Sequence, residues 1–120
     1  MNHVTVEFKR LIDRLTWSVA GLRATWESEK SFRQWGYLNV LSMIGLSVVE
    51  FTLIEIIITL CLGLLVLICE LFNTALEATV DYVSTEKHPL AKLAKDTSSA
   101  AVFLAAITWC TAWILLLIPS

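Results

Sequence analysis

The pattern of apolar and polar positions divides the chain into one amphipathic segment and three apolar ones. From Val6 to Trp26, apolar residues recur three or four positions apart and charged residues occupy the opposite side, which is the period of an amphipathic helix. Three almost uncharged stretches follow, at about residues 34–50, 55–77 and 98–118. We therefore predict an all-α membrane protein, with an amphipathic surface helix at about residues 5–30 and three transmembrane helices.

Composition supports a bilayer environment and excludes several other classes. Hydrophobic residues make up 57% of the 120 positions, too many for a small soluble domain to cover. The net charge of -2 gives no basic patch for nucleic acid, so we expect no nucleic-acid partner. The three cysteines lie within apolar runs and fit neither a disulfide framework nor a zinc site. We expect a single membrane domain over residues 1–120.

The basic residues predict the orientation of that domain. All nine lysines and arginines lie either before the first predicted span or in the connection between the second and third. Because positive charge is enriched in cytoplasmic loops, the N-terminal helix and the connection Thr85–Thr97 are predicted to be cytoplasmic. The turn at Glu50 and the C-terminus are predicted to face outward.

Two polar stripes stand out on the predicted membrane helices. The first gathers carboxylates and an amide on one face at the end of the second span, and its members are Glu70, Asn73, Glu77 and Asp81. A helix that begins at Pro89 would carry a second stripe into the third span. The members of the second stripe are Lys92, Lys95, Asp96 and Ser99. An unpaired carboxylate at Glu70 would cost about 2.5–3.5 kcal/mol inside a membrane, so this residue requires a partner.

The two stripes allow two interpretations. In the first, they form an ion-pair network that fixes the register of the helices. Alternatively, the carboxylates and amide hold a divalent metal while the lysines bind phosphate oxygens, as nucleotide chemistry requires. Soluble nucleotide-binding motifs are absent from the sequence, so the pattern of residues alone leaves both interpretations open.

Four stretches of the chain resemble the prokaryotic diacylglycerol kinases, a family that includes the undecaprenol kinases of Gram-positive bacteria. The most specific is the run E-x-x-N-T-A-x-E-x-x-x-D at Glu70–Asp81, followed by A-K-D within Ala94–Val102. The segments Gly21–Glu29 and Phe32–Gln34 add to it, in the same order as in the family. The resemblance implies a homotrimer in the bacterial inner membrane, with active sites shared between protomers. It also implies transfer of phosphate from ATP, with Mg²⁺, to the hydroxyl group of a membrane lipid.

The resemblance further implies roles for individual residues. Glu77 matches the catalytic glutamate, a metal ligand and proposed general base, and Glu29 matches the carboxylate that shares the metal. Lys95 and Asp96 match a pair that binds the nucleotide, to which both glutamates also contribute. The matched positions that contact the lipid substrate or support the site are Arg10, Glu70, Asn73 and Ser99.

The sequence departs from the family pattern in ways that leave the lipid open. Trp35 stands where many diacylglycerol kinases carry a glutamate. The stretch His88–Lys92 resembles the undecaprenol kinase branch, whereas Gly21–Trp26 resembles the diacylglycerol branch. The leading hypothesis is therefore a diacylglycerol kinase that makes phosphatidic acid. The alternatives are an undecaprenol kinase and a membrane subunit without enzymatic activity.

Overall fold

The fold was analysed in a computed structural model that describes residues 2–119, and within that range it contains four α-helices and no strand. The helices are α1 (His3–Ser28), α2 (Lys30–Val48), α3 (Leu53–Val83) and α4 (Pro89–Leu117). The predicted all-α class is confirmed. The connections between the helices are short, so nearly all of the described backbone satisfies its own hydrogen bonds, as a chain in lipid must.

The starts of α3 and α4 follow from local capping chemistry. The Thr52 side chain accepts a hydrogen bond from the Glu55 backbone, and the Glu55 carboxylate accepts one from the Thr52 backbone, which is a reciprocal capping box. At α4, His88 Nδ1 accepts a hydrogen bond from the Leu90 backbone at 3.1 Å. Pro89 takes the first helical position, where its missing N–H costs nothing, so α4 begins where the sequence predicted.

The packing of the helices makes a flat molecule. The helix α3 packs along α4 on one side and against α2 on another, while α1 contacts only the neighbouring parts of α2 and α3. The molecule measures 54 × 49 × 22 Å. A helix of 31 residues such as α3 spans about 46 Å, so each of the two long dimensions is close to the length of one helix.

A small core joins α3 to α4, and most other large apolar side chains are exposed. The core consists of Val66 from α3 and Val102, Ala105 and Trp109 from α4. Small residues at such contacts let helix backbones approach closely, which is how helices associate in membranes. Since the bundle leaves so much apolar surface uncovered, that surface suits contact with lipid or with further protein.

Two helices within residues 2–119 are long and apolar enough to cross a membrane, namely α3 and α4. Only 22% and 17% of their apolar windows are buried, so neither is the enclosed core helix of a soluble protein. The shorter α2 has a more polar first half, with Arg33, Gln34 and Asn39. It is therefore not among the helices whose length and hydropathy are sufficient to cross a membrane. The count of three transmembrane helices therefore stays a prediction.

Candidate functional site

Glu70 is a buried carboxylate on α3 with a neutral partner. Its side chain is 5% exposed, and Ser31 Oγ on α2 donates a hydrogen bond to Glu70 Oε2 at 3.3 Å. Trp35 lies beside the same carboxylate. Within residues 2–119, the ion pairs do not include Glu70. The partner that the sequence analysis required for Glu70 is thus a hydroxyl group and not a cation.

A chain of hydrogen bonds one turn further along α3 connects Glu77 to α4. Ser98 Oγ donates to Asn73 Oδ1 at 2.7 Å, and Asn73 Nδ2 donates to Glu77 Oε1 at 3.3 Å. Asn73 therefore links the two helices and holds one oxygen of the Glu77 carboxylate. Such polar side chains at the end of an apolar bundle are rare unless they face a functional cavity or one another.

Ser98 is the one residue of this hydrogen-bonded series that was not predicted from the sequence. The adjacent Ser99, predicted from the sequence to support the site, is exposed in this structure, and its supporting role stays a prediction. A signal for Ser98 was present, because it precedes Val102, Ala105 and Trp109 at helical spacing, and all four are buried on one face of α4.

Glu29 lies at the junction of α1 and α2 and is the one residue between them. Its backbone is extended, with φ -110° and ψ 107°, and its side chain makes no capping hydrogen bond at the start of α2. Both Glu29 and Glu77 lie close enough to Glu70 to act electrostatically on its carboxylate. Two of the predicted carboxylates, one at the α1–α2 junction and one on α3, thus lie within electrostatic range of Glu70.

Lys95 and Asp96, the predicted nucleotide-binding pair, lie beside these carboxylates, in the first turns of α4. Lys95 Nζ donates to Asp81 Oδ1 on α3 at 2.7 Å, which ties the two helices together. Asp96 pairs instead with Lys92, one turn earlier on its own helix. All four side chains are at least partly exposed, so each pair contributes only modestly to stability and remains accessible to a ligand.

An open cavity of about 690 Å³ lies next to these ion pairs, at the connection between α3 and α4. Its lining combines cationic and anionic side chains with an imidazole, and includes Lys87, His88, Lys92, Lys95 and Asp96. Lysine side chains at the mouth of such a cavity are suited to phosphate oxygens, which they bind as point charges.

Arg10 is not brought to the carboxylates by any described contact. It lies on the exposed part of α1, where Arg10 Nη1 donates to Glu7 Oε1 at 2.9 Å. Its predicted contact with a lipid substrate stays a prediction.

The donor chemistry of the site fits a magnesium ion only if a ligand completes it. Within residues 2–119 there is no group of three or more histidine, cysteine, aspartate or glutamate side chains that could hold a metal ion. Magnesium prefers oxygen ligands and commonly uses one or two carboxylates together with substrate phosphates. Glu29 and Glu77 are carboxylates of this kind, and their role as metal ligands stays a prediction.

Comparison with known proteins gives one consistent result. The family described as "Prokaryotic diacylglycerol kinase" matches residues 16–117. The diacylglycerol kinase of Pseudomonas aeruginosa is 42% identical over 107 residues, which cover 86% of this chain and 87% of the relative. The diacylglycerol kinase of Escherichia coli is 38% identical over 114 residues, covering 92% and 93%.

A third relative, the diacylglycerol kinase of Helicobacter pylori, is 38% identical over 112 residues, covering 88% of this chain and 83% of that protein. The matched regions include both Glu70 and Glu77 of α3 and the first turns of α4. The chain belongs to the prokaryotic diacylglycerol kinase family.

Proposed function

We propose that this chain is a diacylglycerol kinase that transfers the γ-phosphoryl group of ATP to the hydroxyl group of diacylglycerol, giving phosphatidic acid at the cytoplasmic membrane surface. The relatives reported above are named diacylglycerol kinases, which supports this proposal. The observation that carries the proposal is the hydrogen-bonded chain Ser98–Asn73–Glu77 at the polar end of two apolar helices. In this proposal, the hydrogen-bonded chain holds the Glu77 carboxylate at the depth of the lipid hydroxyl group.

Glu77 acts as the general base in this proposal. The hydroxyl oxygen of the lipid attacks the γ-phosphorus, the bond from that phosphorus to the β–γ bridging oxygen breaks, and the hydroxyl proton moves to Glu77. Asn73 holds Oε1 of this carboxylate, while Oε2 has no hydrogen-bond partner among residues 2–119 and is available for the proton. Phosphoryl transfer depends mainly on positioning and on neutralising charge, so this small set of groups suffices.

In this proposal, Lys95 and a bound Mg²⁺ neutralise the negative charge of the phosphates. Glu29 and Glu77 are proposed to hold Mg²⁺, which when bound supplies positive charge to the phosphate oxygens. Lys95 and Asp96 are proposed to bind the nucleotide at the cavity beside α4. The ion pair with Asp81 fixes Lys95 at the edge of that cavity, so the ammonium group is oriented before the nucleotide arrives.

Supporting positions complete the proposed site. Glu70 and Asn73 lie beside the reacting groups, and Arg10 and Ser99 are proposed to contact or support the lipid substrate. Glu70 receives a hydrogen bond from Ser31, so it connects α2 to the carboxylate group. This connection keeps α2 in register with the catalytic face of α3.

The membrane arrangement proposed for the enzyme has three spans and three protomers. The helix α2 contains 19 residues and is about 28 Å long, close to the thickness of a bilayer core, so it serves as the first span. The N-terminus and site face the cytoplasm and the C-terminus faces outward. The long exposed apolar surface of α3 offers a contact for a homotrimer in the inner membrane, where neighbouring protomers share active sites.

The test is a phosphoryl-transfer assay with purified protein in mixed micelles. Labelled γ-phosphate from ATP with Mg²⁺ is offered to diacylglycerol and, separately, to undecaprenol. We expect labelled phosphatidic acid from the unchanged protein, and a loss of about 10²–10⁴-fold in Glu77→Gln, because the base is removed while the shape of the side chain is kept.

Glu27→Gln is the matched control, since Glu27 is exposed on α1 and its carboxylate forms an ion pair with Arg23 of the same helix at 3.4 Å. Its activity should equal that of the unchanged protein. Labelled polyprenyl phosphate in place of phosphatidic acid would favour the undecaprenol kinase that the stretch His88–Lys92 resembles. The absence of both products would favour the membrane subunit without enzymatic activity.

A further inference from the structure

The joint between α1 and α2 is built around Arg33. The last carbonyl groups of an α-helix have no partner within the helix and require donors from elsewhere. At the end of α1, Arg33 Nη1 donates to the backbone oxygen of Trp26 at 2.6 Å and to that of Glu27 at 3.1 Å. One guanidinium nitrogen of α2 thus satisfies two terminal carbonyls of α1.

The charge of Arg33 strengthens this arrangement. A helix C-terminus carries partial negative charge, and α1 has no basic residue in its own last turn. The cation is supplied by the next helix, so the interaction also holds α1 and α2 at one angle. Lysine would be a poorer substitute, because its ammonium group is a point charge on a flexible stem and lacks the planar, rigid guanidinium group.

Aromatic packing provides a second set of contacts between α1 and α2. The Trp26 ring lies against Gly36, where an added Cβ would come within 2.8 Å of it. The ring also packs edge-on against Phe32 at 6.2 Å and Tyr37 at 5.5 Å between ring centroids. The Trp26 backbone and side chain are therefore both held by α2, and the angle of the joint is defined by two independent contacts.

Glu29 is the residue whose orientation depends on this angle. It alone connects the two helices, and its side chain is not used as a cap. A rotation of α1 relative to α2 must be absorbed largely by the backbone dihedral angles at Glu29. Such a rotation would redirect its carboxylate away from Glu70, which itself lies within electrostatic range of Glu77.

We propose that Arg33 is a positioning residue that fixes the angle between α1 and α2 and thereby directs the Glu29 carboxylate toward Glu77. The proposal rests on the proposed function, because it takes Glu29 as a ligand of the metal that accompanies the nucleotide. Arg33 itself contacts neither nucleotide nor lipid in this role.

The first test measures the joint directly and does not depend on activity. Spin labels are attached through cysteines introduced at the exposed positions Ser18 on α1 and Val40 on α2, after Cys61, Cys69 and Cys110 are replaced by alanine. We expect a narrow distance distribution in the otherwise unchanged protein. Arg33→Met should broaden it, and Arg33→Lys should give an intermediate width.

Arg23→Met is the matched control, because Arg23 lies on the exposed face of α1 and pairs with Glu27 of the same helix. It should leave the distribution narrow. An equally narrow distribution in Arg33→Met would overturn the proposal. Retained secondary structure by circular dichroism separates a broadened joint from an unfolded protein.

The second test measures metal binding, using Mn²⁺ with a non-hydrolysable ATP analogue and electron paramagnetic resonance. Outer residues that orient metal ligands typically contribute about 10–100-fold to metal affinity, so we expect Arg33→Met to weaken Mn²⁺ binding by about tenfold. The KM for the lipid should stay within about twofold, since uniform substrate binding is untouched. Unchanged Mn²⁺ affinity together with a raised lipid KM would assign Arg33 to direct substrate contact and overturn the positioning role.

A double variant separates this proposal from the proposed function. If Arg33 acts through Glu29, adding Arg33→Met to Glu29→Gln should cause no further loss of Mn²⁺ affinity, since coupled residues are not additive. Additive losses would overturn the proposal. Failure of the proposed function would be visible earlier and separately, as an unchanged protein that phosphorylates no lipid.

Discussion

The middle of the bundle and its polar end near Glu77 each contain an asparagine that connects two helices, but the partners differ in kind. Asn39 Nδ2 on α2 donates to the backbone oxygens of Trp35 at 2.9 Å and of Gly63 on α3 at 3.1 Å. Asn73 instead accepts from a side chain of α4 and donates to the Glu77 carboxylate. One asparagine bonds to main chain and the other to side chains.

This difference distinguishes a polar contact that only holds helices together from one that positions a group able to react. The backbone oxygens that Asn39 contacts cannot change charge, and they lie within α2 and α3, whose N–H groups already satisfy them. The Glu77 carboxylate can gain or lose a proton and can bind a cation, so holding it in place prepares a reaction. Polar groups in an apolar bundle therefore indicate function most strongly where their partners are titratable side chains.

The largest effect on activity outside Glu77 is expected from Asn73→Ala. Without the amide, one Glu77 oxygen loses its donor and the link to α4 is broken, so the carboxylate proposed as the base is misplaced. Small misplacements of reacting groups can cost about 10²-fold, and we expect a loss of that size in lipid phosphorylation. Side-chain hydrogen bonds in membrane proteins average about 0.6 kcal/mol, so thermal stability should change little. Full activity in Asn73→Ala would contradict the proposed role of the Glu77 contact.

A smaller effect, on stability alone, is expected from Gly63→Ala in the middle of the bundle. The added Cβ would lie 2.5 Å from Asn39 Oδ1 and 2.9 Å from the Trp109 ring, so the helices must move apart or Asn39 must turn away. Overpacking of this kind costs about 1–3 kcal/mol, measured by reversible unfolding in mixed micelles.

Gly21→Ala supplies the matched control for that substitution. Gly21 lies within α1, and an added Cβ meets nothing within 4 Å. Because alanine is the better helix former, stability should be unchanged or raised by up to about 1 kcal/mol. Equal destabilisation by the two alanines would show that the close contact at Gly63 is not what limits the packing of α2 on α3.

Individual residues show which features of the fold and of the site can be predicted from the sequence. Hydrophobic period predicted the helical class, and proline chemistry predicted the start of α4 at Pro89, since both are local properties of the chain. The ion-pair interpretation of the two stripes included Asp81 and Lys95, but which carboxylate Lys95 contacts depends on how α4 packs on α3, and periodicity does not specify that packing. The choice of Ser98 over Ser99 depends on a rotation of α4 by one position, which periodicity resolves only when the buried face is known.

The smallest effect is expected from Asn39→Ala, which removes the same side-chain atoms as Asn73→Ala from the other region. The oxygens of Trp35 and Gly63 keep their partners within their own helices, so the loss is one interhelical hydrogen bond, at most about 1.7 kcal/mol. Lipid phosphorylation per folded protein should equal that of the unchanged chain. A fall in activity comparable to that of Asn73→Ala would mean that the middle of the bundle transmits its packing to the Glu77 carboxylate. Unchanged activity with reduced stability would instead establish that the two asparagines do different work, because only one of them bonds to a group that can take up a proton.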